Sequence, residues 1–200
     1  MMRSIFISIQ LISIFLLWNA CSDSSSSTDV GGLSYEQIIS DAWSLFDDEQ
    51  YQLAMDRFKD AQDMSGDESG AYTGQGCVYF VLDKIDSSAY FFSLGEDKKN
   101  LTATHYAIWA FVLNIEKQYL SSLEKGGLAL EMNPNWNFPY GLNLNSYDLH
   151  LLNAINYFLI GAFEDCLIEI QILDPFFNTD VNSNSGQIAL SEELEKLKRN

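Results

Sequence analysis

The sequence predicts an all-α protein built from about four helix-turn-helix units and closed by a C-terminal capping helix. Three observations predict it. Apolar residues recur at helical spacing rather than in alternation. The apolar stripes come in pairs with a period of about 34 residues. Two of the pairs close on Asn133-Pro134 and Asp174-Pro175, where a proline cannot continue a helix.

In the first unit, Ile38, Ala42, Leu45 and Phe46 form one stripe, and Asp47 to Gln50 a polar turn. Tyr51, Ala54, Phe58 and Ala61 then stand on one face of a second helix, with alanines small enough to admit a neighbour. In the second unit, Ala71 to Phe80 reads as a helix, Lys84 and Ile85 as the turn, and Ala89, Phe92 and Ser93 as the next helix. Gly74 and Gly76 weaken that first helix by about 1 kcal/mol each relative to Ala, so packing must offset them. The third unit has Tyr106, Trp109, Ala110 and Leu113, then Tyr119, Ser122, Gly126 and Ala129 at the spacing of Tyr51 to Ala61.

A long segment from Asn133 to Ser146, rich in turn formers, separates this unit from the next. Its Trp136, Phe138 and Tyr140 either pack over the stack or belong to a functional loop. The fourth unit has His150, Asn153, Ala154, Tyr157 and Phe158, then Gly161, Phe163, Cys166 and Ile170. Ile188, Leu190, Leu194 and Leu197, with charges between them, make an amphipathic terminal helix. A repeat stack needs such a cap with a polar outer face.

Composition narrows the partners. There are 28 acidic residues against 11 basic ones in a chain of 200, a formal charge of -17. Nucleic acid is therefore not an expected partner, because phosphate binding needs clustered Lys and Arg. A 47% hydrophobic content is enough to build a core, so the whole chain is not disordered.

The N-terminus reads as an address. Arg3 precedes a nearly continuous apolar run from Ile5 to Trp18, followed by Asn19, Ala20 and Cys21. That is the layout of a secretory signal, too short for a comfortable membrane span. Ser22 to Asp29 is a polar tether. An apolar run ending in Ala-Cys before a Ser-rich tether resembles a bacterial lipoprotein signal. The resemblance implies that Cys21 becomes the first mature residue and carries the lipid. Ser22 after the cysteine resembles lipoproteins delivered to the outer membrane.

The paired stripes resemble tetratricopeptide (TPR) repeats. That family keeps a small residue at the eighth and twentieth positions of each unit. Here the eighth positions read Ala42, Cys77, Ala110 and Ala154, and the twentieth Ala54, Ala89, Ser122 and Cys166. The resemblance covers most of residues 34–178. It implies a right-handed superhelix whose first helices line a concave face. The groove positions map to Trp43 and Phe46 in the first unit and to Ala71, Gly74, Val78 and Val81 in the second. They continue as Phe111 and Asn114 in the third and Ile155 and Phe158 in the fourth. Chaperone-binding members clamp a C-terminal carboxylate with Lys and Asn; that set is absent, and this groove is apolar and aromatic. A large exposed apolar surface marks a binding site. The competing reading is that the linker or the tail fills it.

The expected layout is a signal over 1–20, a tether from lipidated Cys21 over 21–33, and a repeat domain over 34–178. Its units span about 35–68, 70–102, 103–134 and 147–178, with a linker over 133–147, and the turn and capping helix over 179–200. No G-x-S-x-G, H-E-x-x-H, phosphate-binding or dinucleotide-binding signature occurs, so the chain is not expected to be an enzyme or to hold a cofactor. His105 and His150 lack further ligands nearby in sequence, and Cys77 and Cys166 occupy packing slots, so no metal site is expected. The expected function is an adaptor for a protein or peptide client in the bacterial cell envelope, facing the periplasm. The alternative is a periplasmic lipoprotein that binds a small molecule or lipid in association with solute uptake.

Overall fold

The computed structural model describes residues 32–199. Among them are nine helices: α1 (Tyr35–Asp47), α2 (Tyr51–Met64), α3 (Ser69–Val81), α4 (Ile85–Gly95), α5 (Ala103–Ile115), α6 (Tyr119–Met132), α7 (Ser146–Leu159), α8 (Phe163–Leu173) and α9 (Asn184–Leu197). The signal, Cys21 and nearly all of the tether lie outside the described residues. No helix among the described residues is long and apolar enough to cross a membrane.

Each odd helix packs on the even helix that follows it, and successive odd helices touch one another, α1 on α3, α3 on α5 and α5 on α7. The odd helices therefore form one continuous inner row. Several begin on side-chain caps that satisfy free amides. Ser34 and Gln37 close a capping box at α1, and Asn145 and Asp148 close one at α7. Thr102 caps α5, accepting from the His105 amide at 3.3 Å.

The turns inside the units share one backbone solution. After α1 the amide of Glu49 donates to Phe46 O at 3.0 Å and that of Gln50 to Leu45 O at 2.8 Å. The same pair of bonds recurs at Asp83 and Lys84, at Lys117 and Gln118, and at Gly161 and Ala162. This is the Schellman motif, which needs a left-handed residue just past the helix. Those residues are Glu49 (φ 58°), Asp83 (φ 56°), Lys117 (φ 62°) and Gly161 (φ 80°). Only the last is glycine. Gly161→Ala is expected to lower stability by about 1–2 kcal/mol, and Glu49→Gly to raise it by roughly 1 kcal/mol, both read from urea unfolding.

The turns also fix the repeat. The starts of α1, α3 and α5 lie 34 residues apart, as do those of α2, α4 and α6. The small slots of the second unit are therefore Gly76 and Ser88, one position before the expected Cys77 and Ala89. Ser88 Oγ donates to Gly76 O at 2.8 Å, and Ser122 Oγ to Ala110 O at 2.7 Å, the same bond one repeat later. The neighbouring Gly74 carries Phe58 of the preceding unit against its bare Cα, where a Cβ would fall inside the ring. That contact repays the helix-weakening glycine.

The core is continuous through α1–α7 and includes Phe46, Phe58, Phe92, Ile108 and Leu149. A second cluster joins α7 and α8 to α9 through Ala154, Cys166, Ile170, Leu190, Leu194 and Leu197. Tyr147 Oη also donates to Leu197 O at 3.2 Å. The cap thus covers the last unit, but Ile188 differs from the sequence pattern: it is exposed on the outer face of α9. A residue two before Leu190 on a helix points nearly opposite to it.

Candidate partner-binding site

The inner row of helices forms the concave face, and its N-terminal half is already filled. Gly161 follows Lys117 by 44 residues instead of the 34 between Lys117 and Asp83. The extra length is the α6–α7 linker, which folds back over α1 and α5. Tyr140 stacks on Trp43 with centroids 4.4 Å apart and planes 6° from parallel. Phe138 meets Trp43 edge-on at 6.1 Å and lies tilted on Phe46 at 5.9 Å. Trp136 is buried and donates from Nε1 to Thr104 Oγ1 at 3.1 Å. The loop pins itself through Phe138 N to Leu144 O at 2.8 Å and Ser146 N to Trp136 O at 2.7 Å.

Three expected groove residues are corrected by this geometry. Trp43 and Phe46 are buried beneath the linker. Val78 is buried between helices, because the true repeat places Cys77 and Phe80, not Val78 and Val81, at the groove positions of the second unit. Ala71 and Gly74 give way to Gly70 and Thr73 for the same reason.

The remaining four residues stand together. Phe111 and Asn114 on α5 are the repeat equivalents of Ile155 and Phe158 on the adjacent α7, and all four are half-buried. Asn114 has a structural task as well. Its Nδ2 donates to Asn156 Oδ1 at 2.6 Å, and Asn156 Nδ2 donates to Ser122 Oγ at 2.8 Å. This chain ties α5 and α6 to α7. Ile155 and Phe158 lean on the cluster beneath α9, and Phe158 meets Phe163 edge-on at 5.5 Å.

A cleft of about 220 Å³ remains where the linker arches over the N-terminal half, lined by Ile39, Trp43, Thr73, Thr104, Pro139 and Tyr140. Sequence reasoning did not place this cleft. Burial and then the charge of Asp47 raise the Tyr140 hydroxyl above its ordinary pKa, so it stays a neutral donor.

The histidines and cysteines lie elsewhere. His105 is wholly buried with Nδ1 2.9 Å from Thr73 Oγ1, and burial pushes it down to about 4. His150 Nδ1 sits 2.7 Å from Glu169 Oε2 on α8. Cys77 and Cys166 are free and buried, and burial pushes both thiols up. Among the described residues no three His, Cys, Asp or Glu side chains stand together as a metal site would require.

No protein-family model matches the chain, and no curated protein matches it. Solved structures match its fold. YrrB, a TPR protein with an unusual peptide-binding site, is similar at a TM-score of 0.65 and 14% identity, over 84% of this chain and 88% of that one. MamA is similar at 0.55 and 11% identity, over 82% of this chain and 81% of its own. A TPR protein from Parabacteroides merdae ATCC 43184 is similar at 0.57 and 14% identity, over 84% of this chain and 61% of its own. At such identities the likeness is one of fold, and the chain has the all-α TPR superhelix.

Proposed function

We propose that the protein is a non-catalytic adaptor that binds a protein or peptide client on the open, C-terminal half of its concave face. One observation carries this reading: the linker closes the groove over Trp43 and Phe46 but leaves Phe111, Asn114, Ile155 and Phe158 half-open on adjacent helices. Aromatic side chains beside a polar amide are the composition of an interface centre. The peptide-binding site of YrrB, a chain of similar fold, supports it. The adaptor acts in the bacterial envelope, held at the outer membrane by lipid on Cys21 and facing the periplasm, a placement that rests on the signal-like N-terminus. Stable anchoring takes more than one acyl chain, as lipoprotein processing supplies.

Photo-crosslinking in living cells tests the site, with the reactive side chain at Phe111 and adducts read by mass spectrometry. One dominant protein adduct is expected. Adducts confined to the protein's own linker or α9 would reject the open half as a client site.

A second reading follows from the cleft under Pro139 and Tyr140. The alternative small-molecule or lipid-binding role gains a polar-apolar cleft there, but about 220 Å³ is below the ~300 Å³ of common ligand pockets. A lipid does not fit such a volume; a small polar molecule does. Native mass spectrometry of the purified protein would reveal it as one stoichiometric added mass, and a bare protein mass would dismiss it.

A further inference from the structure

The chain seats one of its own segments on the concave face, and the manner of seating is specific. Ser146 N donates to Trp136 O and Phe138 N to Leu144 O, which holds Asn137 in an antiparallel bridge with Asn145. Side chains of extended backbone alternate sides, and Pro139 favours that conformation in the Phe138 before it. Trp136 and Phe138 are accordingly buried and Tyr140 half-buried, while Asn137 and Pro139 between them are exposed. The three rings form rungs, with centroids 6.5 Å apart from Trp136 to Phe138 and 5.9 Å from Phe138 to Tyr140. They cross from Thr104 on α5 to Trp43 and Phe46 on α1.

The seat under Phe138 recurs in the open half. Trp43 and Phe46 hold the ninth and twelfth positions of the first unit; Phe111 and Asn114 hold them in the third, Ile155 and Phe158 in the fourth. Side chains three residues apart on a helix are neighbours on one face. Those of the open half are all half-buried, and only Asn114 is polar. Rungs at alternate residues of extended backbone cover about 13 Å in three, enough to cross two helices packed about 8–10 Å apart. Asn114 suits the same occupant. In the linker the Phe138 amide is met by Leu144 on the returning strand. A separate segment brings no returning strand. Asn114 spends its Nδ2 on Asn156, and its Oδ1 accepts nothing among the described residues, so it is free to take such an amide.

Charge completes the description of the occupant. Along α5, α7 and the turns that follow them, Glu116, Asp148, Glu164 and Asp165 stand against Lys117 alone, in a chain of net charge -17. Such a field draws cationic partners and repels both a second copy and anionic lipid. We propose that the client segment is extended, carries aromatic side chains at alternate residues between flanking Lys or Arg, and lies across α5 and α7 as residues 136–140 lie across α1 and α5. This names the chemistry of the client and rests on the open half being the client site.

The test needs no variant of the protein. A dye-labelled peptide with the sequence of residues 136–140, Trp-Asn-Phe-Pro-Tyr, and a pair of lysines at each end is titrated with the full chain and read by fluorescence anisotropy. Saturable binding is expected. The same residues reordered as Asn-Trp-Phe-Tyr-Pro, which breaks the alternation, should bind roughly tenfold more weakly, because only some rings then reach a seat. Glutamates in place of the lysines should also cost roughly tenfold, and less as salt is added. A benzophenone on the central rung, photolysed in the complex, should label α5 and α7. No saturation, equal binding of the ordered and reordered peptides, indifference to the flanking charge, or label on α1 in place of the displaced linker would each overturn the proposal. The adaptor reading is judged separately, by the photo-crosslink from Phe111. A client captured there without such a segment would sink this client chemistry and leave the adaptor standing, whereas neither a client nor peptide binding would sink both.

Discussion

Trp136→Ala is expected to lower the stability of the folded chain by about 3–5 kcal/mol, the range for deleting a buried large aromatic. The indole is 2% exposed, although it stands in a connection between helices. It packs edge-on against Phe138 at 6.5 Å and hydrogen-bonds Thr104 on α5. Its removal leaves a cavity under Phe138 and an unmet Thr104 hydroxyl. Domains of this size hold about 5–15 kcal/mol in all, so the variant loses about a fifth of that or more. Urea unfolding followed by circular dichroism measures it, with Met132→Ala as the exposed control, expected within about 0.5 kcal/mol of the parent. The outcome also decides what the linker is. A loop that docks reversibly, as a client would, contributes little to the global transition. Unchanged stability in Trp136→Ala would therefore show that the groove over Trp43 and Phe46 can open.

That distinction could not be read from the sequence. Aromatics among Asn, Gly and Pro are equally consistent with a loop that packs and a loop that binds. Only the stacking of Tyr140 on Trp43 separates the two. The helix pairs were legible because their small slots stand twelve residues apart across each turn, as Ala42 and Ala54 do. The same rule misplaced the second unit. Gly76 to Ser88 and Cys77 to Ala89 are both small pairs at that spacing, so the pattern has two solutions one residue apart. The turn residue would have chosen between them. It is a left-handed position, usually marked by Gly or Asn, but here it is occupied by Glu49, Asp83 and Lys117. Only Gly161 carries the ordinary signal. The slip moved Val78 into the groove on paper. In the folded chain Thr73, Cys77 and Phe80 take those positions, and Thr73 brings with it the buried partner of His105.

Acid is expected to weaken the fold through His105 by about 2–3 kcal/mol between pH 7 and pH 4.5. The imidazole is wholly buried, edge-on to Phe92 at 5.2 Å and to Trp109 at 5.7 Å. Thr73 Oγ1 lies 2.9 Å from both Ser69 O and His105 Nδ1, so the hydroxyl pairs with the ring. The ring is held neutral, and its Nε2 has no hydrogen-bond partner among the described residues. Burial drives the pKa down to about 4; the Phe92 carbonyl opposes the shift and the Lys125 cation adds to it. The unfolded chain titrates near 6.5. Below that value the unfolded state takes up a proton that the folded state refuses, so unfolding gains free energy as pH falls. The stabilisation is complete above about pH 6.5 and is lost as the pH drops to about 4. Carboxylates titrate in the same window, and neutralising part of a charge of -17 acts in the opposite direction. The comparison therefore needs His105→Gln, which keeps a donor for Thr73 but cannot ionise. Urea unfolding of both proteins at pH 7 and pH 4.5 isolates the histidine, because every other group is shared. The parent should lose about 2–3 kcal/mol more than the variant over that interval. Equal losses would mean that His105 is solvated or already charged in the folded chain, and that the row of aromatics around it opens in solution.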